Sequence, residues 1–263
     1  MHKAAWLLVL ILLFAGCHSS PTGVLTLERF FHDPQVRQLA DAAAKGSARK
    51  VAQLVAKGVN PNAIGNEGMS PLWWAFAAQN TVGMKALMQA GADPDYVPKG
   101  MRDHMLDKAL TGSNRSTLKL VQTLLEGGVK VNRRDERGDT PLTYALFGRP
   151  RLEKIKLLVR YGGDVHTQDS CGYTLLESAL MVRAFDVAKW LIEQGVDEHH
   201  VDNNGGSAAW EIDHALKNDL YANWAKKAAL EVKAILQTKG VHFPPKAPYA
   251  WRKMRPKGWK PCD

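Results

Sequence analysis

The 263 residues contain no glycine-rich phosphate loop, no Gly-x-Ser-x-Gly elbow and no Cys-x-x-Cys pair. Phosphate cradling, serine hydrolysis and dithiol exchange therefore have no recognisable carrier, and nothing in the chain supports an enzyme. Cysteine is scarce, with only Cys17, Cys171 and Cys262. Long apolar runs are scarcer still. Ala4 to Phe14 is the only one, and it is shorter than the ~20 residues a helix needs to cross a bilayer. Acids are outnumbered by bases, 26 to 35. Apolar residues, 45% of the whole chain, suffice for a continuous core.

What the chain has in abundance is repetition. The central stretch from Asp135 to Gly163 opens on a turn at Gly138 and enters Thr140-Pro141-Leu142, with an N-cap followed by a first-turn proline. A short apolar helix then runs through Ala145, and a second stripe at Ile155, Leu157 and Leu158 closes on Gly162. The closing glycine recurs at Gly58, Gly91, Gly128, Gly162 and Gly195, about every 33 to 37 residues. Two apolar residues stand four and three before each, from Leu54-Val55 to Leu191-Ile192. The helix opening recurs as Ser70-Pro71-Leu72, His104-Met105-Leu106 and Thr174-Leu175-Leu176. These residues resemble the ankyrin repeat, whose signature is a Thr-Pro-Leu turn, two antiparallel helices and a period near 33. The resemblance implies an all-α fold, a solenoid of about six helix-pair repeats with short hairpin turns.

The ends differ from the middle. Met1-His2-Lys3 followed by Ala4 to Phe14 fits a secretory signal peptide. Phe14-Ala15-Gly16-Cys17 resembles the lipobox of bacterial lipoproteins, in which the cysteine is acylated. The residue three before Cys17 is Phe14, where that family usually has leucine. His18 follows the cysteine instead of aspartate, which by the same resemblance implies sorting to the outer membrane. Residues 1–17 are therefore expected to be signal, 18–32 a tether, 33–241 the repeats and 242–263 a basic tail rich in proline and tryptophan. Loss of Lys3 with the signal lowers the formal charge of +9 by one. Within the tether, Leu25, Leu27, Phe30 and Phe31 are expected to dock on the first repeat, and Asp33-Pro34 to begin its first helix. Of the cysteines, Cys171 and Cys262 remain as a candidate disulfide in an oxidising compartment.

Several copies depart from the pattern. Trp73 and Trp74 cannot both face one side of a helix, so either both pack between repeats or one approaches the surface. Ser113-Asn114-Arg115-Ser116 lengthens the third copy as a loop. The sixth copy has a stretched second helix, Asp219 to Gln237, with a stripe at Tyr221, Trp224, Ala225, Ala228, Val232, Ile235 and Leu236. The tail interleaves Tyr249, Trp251 and Trp259 with six Lys or Arg. It could meet anionic lipid, acidic glycan or an acidic protein, or pack on the last helix. An export signal argues against nucleic acid.

Metal and catalytic clusters are weak. Asp197-Glu198-His199-His200-x-Asp202 is the best of them, but adjacent histidines on an extended chain point apart. His166 and His199 stand four residues after a closing glycine, where other copies carry Asn62, Asp95 and Asn132. A polar residue bonding its own loop accounts for both, so no metal or other cofactor is expected. Asp135 and Glu136 lie at a solvated hairpin tip.

Binding is what remains. Ankyrin-like proteins bind other proteins through hairpin tips and inner-helix faces, and the resemblance assigns those positions here. They are Asn66, Glu67 and Met69 in the second copy, and Met101 and Asp103 in the third. The fourth supplies Glu136, Arg137, Asp139 and Phe147, the fifth Ser170, Tyr173 and Met181, and the sixth Asn203 and Asn204. Phe147, Tyr173 and Met181 are large and apolar for surface sites and suggest an interface. The expectation is a lipid-anchored periplasmic protein-binding module. It resembles ankyrin lipoproteins that serve as immunity proteins against envelope-targeting toxins, notably phospholipases delivered by type VI secretion. A scaffold or protective partner of a resident periplasmic enzyme is the alternative.

Overall fold

A computed structural model describes residues 26–112, 116–149, 151–218 and 223–248. The described residues form thirteen α-helices and no extended sheet. A short helix, α1 (Leu27–Phe30), precedes six helix pairs. The pairs are α2 (Pro34–Ala44) with α3 (Ala48–Ala56), α4 (Pro71–Ala77) with α5 (Thr81–Gln89), and α6 (Met105–Thr111) with α7 (Ser116–Glu126). Three more follow: α8 (Pro141–Ala145) with α9 (Arg151–Arg160), α10 (Leu175–Met181) with α11 (Phe185–Glu193), and α12 (Ala208–Lys217) with α13 (Asn223–Thr238). Contacts divide the chain into two compact units. One comprises Met1–Ala109 with Asn114–Lys130, the other Leu110–Ser113 with Val131–Asp263.

The helices start and stop where local chemistry directs. Asp33 Oδ1 accepts from the amide of Gln35 at 2.7 Å, and Pro34 occupies the first turn, where a missing N–H costs nothing. Ser70 and Ser207 cap α4 and α12 by accepting from Trp73 and Trp210 amides. At the other end, Gly162 has φ +89, with its N–H on the Val159 carbonyl and the Gly163 N–H on that of Leu158. That pair of bonds terminates a helix through a left-handed residue, which glycine adopts without a Cβ penalty. Gly58, Gly91, Gly128, Gly195 and Gly240 share the positive φ.

In the first unit α2 packs on α3, α4 and α5, while α5 packs on α3 and α7. Phe30 and Phe31 are fully buried, and both rings lie against Trp74, with centroids 5.6 and 6.3 Å away. The expected tether is thus part of the folded unit from residue 26 onward; Leu25 lies outside the described residues. Trp73 turns the other way, 2% exposed, and its indole N–H donates to the Tyr96 carbonyl at 2.9 Å. A buried indole needs such a partner. Residues 113–115, in the lengthened turn of the third copy, lie outside the described residues.

In the second unit α8, α10 and α12 pack side by side as one row, and α9, α11 and α13 as another. Leu142 and Leu176, each two residues after its cap, are 0% and 1% exposed. Each contributes roughly 1.5–3 kcal/mol by burial. The stretched helix of the sixth copy begins at Asn223, and 219–222 lie outside the described residues. Its buried stripe is Ala225, Ala229, Val232 and Leu236. Ala228 and Ile235, expected in that stripe, are only half-buried.

One cation is wholly inside. Lys154 of α9 is 0% exposed, and its ammonium donates to the carbonyls of Leu110 and Gly112 at 2.5 and 2.6 Å. Those carbonyls end α6, where four backbone acceptors lack helical partners. A cation at a helix C-terminus also suits the dipole. Burial lowers the Lys154 pKa to about 8.

Candidate protein-binding surface

Each hairpin of the second unit is built around one aspartate. Asp135 Oδ1 accepts from the amides of Arg137 and Asp139, and Oδ2 from the Tyr144 hydroxyl at 2.9 Å. Burial raises the Asp135 pKa, but these bonds and Arg137 outweigh it and hold the carboxyl below its usual range. Asp169 Oδ1 accepts from Cys171 and Tyr173 in the same way. Asp202 repeats it with Asn204 and Gly206. The turns then join in series, Ser170 N–H to the Arg137 carbonyl and Asn203 N–H to that of Cys171. Gly138 is required twice over. Its φ is +80, and a Cβ there would lie 2.6 Å from the Ser170 nitrogen.

The polar residue four after a closing glycine does not bond its own loop. Asn62 donates to the Gly91 carbonyl at 2.7 Å and accepts from the Asp93 amide at 2.8 Å. Asn132 does the same with Gly162 and Asp164, and Asp95 accepts from Lys130. The position clasps the next repeat, which corrects the expectation of a local bond. The loop's own turn is closed instead by the residue two earlier, as in Asp164 with the His166 amide and Asp197 with that of His199.

Of the expected binding residues, Met69 is a correction. It is 2% exposed, because the residue before a helix cap is folded under its own hairpin. In the first unit, Glu67 pairs with Arg29 at 2.9 Å and Asp103 with Lys108 at 2.5 Å, while Met101 is half-buried. In the second, Glu136, Ser170 and Asn203 are exposed. Arg137 is exposed, bridges Asp135 and Asp139, and holds a mostly buried Asp139 at 3.1 Å. Tyr173, expected as an exposed aromatic, is half-buried and hydrogen-bonds the Asn204 side chain, itself half-buried.

Phe147 and Met181 remain, 59% and 55% exposed. Each stands seven residues after its helix cap, Thr140 and Thr174, so they occupy one position in adjacent repeats. Neighbouring helices place such positions roughly 10 Å apart. The same position in the sixth repeat is His214, whose ring stacks on Trp210 at 5.0 Å. The inter-helix turns of the fourth and fifth repeats, beside this row, carry Arg149 and Arg183 and no acid.

Beneath the hairpins lies a buried carboxylate group. Glu177 is 1% exposed; its Oε2 accepts from the Thr174 amide at 2.7 Å and hydroxyl at 2.9 Å. Burial first, then Asp202 and Glu211, push its pKa up to about 8. Burial and Asp202 likewise raise Glu211. Among the described residues, no group of three or more His, Cys, Asp or Glu side chains is placed to hold a metal ion. His200 instead meets the Gly172 carbonyl at 2.7 Å. No described helix is long and apolar enough to cross a membrane. Cys171 is disulfide-bonded; Cys17 and Cys262 both lie outside the described residues.

Comparison with known proteins places these features in a family context. Residues 106–202 match the family described as ankyrin repeats, in three copies. The chain is 37% identical over 67 residues to protein phosphatase 1 regulatory subunit 27 of Mus musculus, covering 26% of this chain and 44% of that protein. It is 46% identical over 54 residues to ankyrin repeat domain-containing protein 63 of Homo sapiens, 20% and 14% of the two chains. SH3 and multiple ankyrin repeat domains protein 2, also human, is 26% identical over 173 residues, 64% of this chain and 9% of that one. The chain spans less than half the length of each of these relatives.

Proposed function

The described residues are all-α and residues 106–202 match ankyrin repeats, and on that premise we propose that the chain is a protein-binding module whose contact surface is centred on Phe147 and Met181. The observation that carries this reading is their exposure at one position in adjacent repeats. Two large apolar side chains side by side in water are costly, and such a pair is what a partner would cover. The ankyrin repeats, and a relative named as a regulatory subunit, support an interaction module over a catalyst. Fold alone does not name the partner.

The N-terminal sequence extends the proposal to place. Acylation at Cys17 would hold the module on the periplasmic side of a bacterial membrane, the outer one by the residue that follows. A module so placed is suited to neutralising an envelope-targeting toxin such as a secreted phospholipase. Protection or scaffolding of a resident periplasmic enzyme is the second reading, which the same apolar pair serves equally well.

The test uses the full chain against a purified secreted phospholipase of the envelope-targeting class. Phe147→Ala with Met181→Ala is expected to weaken inhibition tenfold or more and leave the melting temperature within ~2 °C, because neither side chain is core. Full inhibition by the double variant would overturn the surface assignment. Membrane attachment is tested separately by Cys17→Ser, expected to release the protein from membranes; retention after a high-salt wash would overturn the anchor.

A further inference from the structure

Resting on the surface assigned above, we propose that its partner presents an acidic amphipathic helix. The helix lies across α8 and α10, with apolar side chains on Phe147 and Met181 and carboxylates on Arg149 and Arg183.

Charge is the first ground. Phe147 and Met181 are each followed two residues later by an exposed arginine, Arg149 and Arg183. Both arginines stand nine residues after their caps, Thr140 and Thr174, so the apolar-plus-basic pair repeats in register. Among the described residues, α8 carries no charge and α10 carries only Glu177, which is 1% exposed. A partner that covers the apolar pair therefore sets its rim against two positive charges, and complementary potential favours acids there. The combination is confined to the fourth and fifth repeats. The same two positions are Ala77 and Gln79 in the second repeat, and His214 and Leu216 in the sixth.

The backbone is the second. Arg183 immediately precedes the N-cap of α11 and holds φ +59. The first repeat fills the equivalent place, before Ser47, with Gly46 at φ +74. A left-handed backbone suits glycine and strains a side chain. The fifth repeat thus gives up backbone ease and sets a charge on the surface beside Met181.

Spacing is the third, and it selects a helix. Neighbouring inner helices set Phe147 and Met181, and likewise the two arginines, roughly 10 Å apart. A helix rises about 1.5 Å per residue, so its residues i and i+7 stand about 10.5 Å apart on one side. Same-side residues of a strand recur every ~6.7 Å, which fits neither one step nor two. Residues i+4 and i+11 lie about 40° round the helix and form a second line of the same period. Apolar residues at i and i+7 with acids at i+4 and i+11 match the four side chains. An anionic bilayer would meet them too, but lipid-binding clusters carry about four to eight bases and this surface has two.

The experiment pans a phage-displayed library of helical peptides, randomised on one face, against the full chain at low salt. Enriched peptides are expected to be acidic, with apolar residues seven apart. A synthetic copy of the most enriched peptide is then titrated. Arg149→Gln with Arg183→Gly should weaken it about tenfold, a loss that shrinks near 1 M salt. The glycine suits the backbone, so this variant should melt no earlier than wild type; should it do so, Arg149→Glu alone repeats the titration. Unchanged affinity would overturn the proposal. Neutral or basic peptides that lose affinity with Phe147→Ala and Met181→Ala would overturn the acidic helix and leave the binding surface standing. Acidic peptides indifferent to those alanines would overturn the surface as well. No enrichment, with adsorption to phosphatidylglycerol vesicles that the arginine variant abolishes, would assign the four side chains to lipid instead.

Discussion

Replacing Lys154 with methionine tests the boldest electrostatic feature of the second unit. Two effects oppose each other. Moving a lysine from 10.5 to about 8 costs ~1.4 kcal/mol per pH unit, so roughly 3 kcal/mol is the ceiling on what burying this charge costs near neutrality. Methionine removes that cost. It also strands the Leu110 and Gly112 carbonyls, each worth ~1–3 kcal/mol when left without a donor. At pH 7 the two nearly cancel, and a net change of ~2 kcal/mol or less is expected. The pH dependence decides between them. Below pH 8 both folded and unfolded lysine are charged and the wild type shows no slope from this residue. Between 8 and 10.5 the unfolded chain binds the extra proton, so wild-type stability rises with pH, and above 10.5 the gain is complete. Urea melts of both proteins from pH 7 to 11 should therefore diverge by ~2–3 kcal/mol in favour of wild type across that window. Comparing the pair cancels the other lysines. A constant difference would show that Lys154 titrates normally and that the buried ammonium reasoning is wrong.

Three further outcomes are expected. Glu177, raised from 4.5 to about 8, should contribute stability below pH 4.5 that is lost as pH rises through 8. Glu177→Gln should accordingly flatten the urea-melt stability between pH 5 and 8 by roughly 2–4 kcal/mol relative to wild type, and parallel curves would refute the shift. Gly148→Ala places a Cβ 2.3 Å from the Leu110 carbonyl oxygen and 2.5 Å from the Lys154 ammonium. The clash should cost ~1–3 kcal/mol, read as a lower melting temperature, and an unaltered melt would deny the close approach. Arg183 holds φ +59, a left-handed backbone that costs a side chain ~1 kcal/mol. Arg183→Gly should raise the melting temperature by roughly 2–4 °C; a fall would mean that the arginine's own contacts outweigh the strain.

The repeat frame was legible in sequence because it rests on local chemistry. A closing glycine, a capping hydroxyl and a first-turn proline act within a few residues, and all three did so at Ser70-Pro71 and Gly91. What escaped was non-local. Lys154 carries no local signal of its burial, since its acceptors lie more than forty residues earlier. Asn62 and Asn132 looked self-contained for the same reason, their partners being a repeat away. Met69 was misassigned although a signal existed. The aligned positions are Asp139 and Tyr173, and these too proved mostly or half buried, so a methionine there belonged to the inside. The exposure of Phe147 and Met181 was legible in sequence because an apolar residue at a position facing water stands out.

The asparagine clasp also bears on how such a chain can grow or shrink. Asn62 and Asn132 grip the main chain of the following repeat, a glycine carbonyl and the amide two residues on, and ignore its side chains. Any unit with the same loop can take that grip, whatever its sequence elsewhere. Units could thus be duplicated, excised or exchanged between genes with the junction intact, and the surface residues left free to change with each new partner.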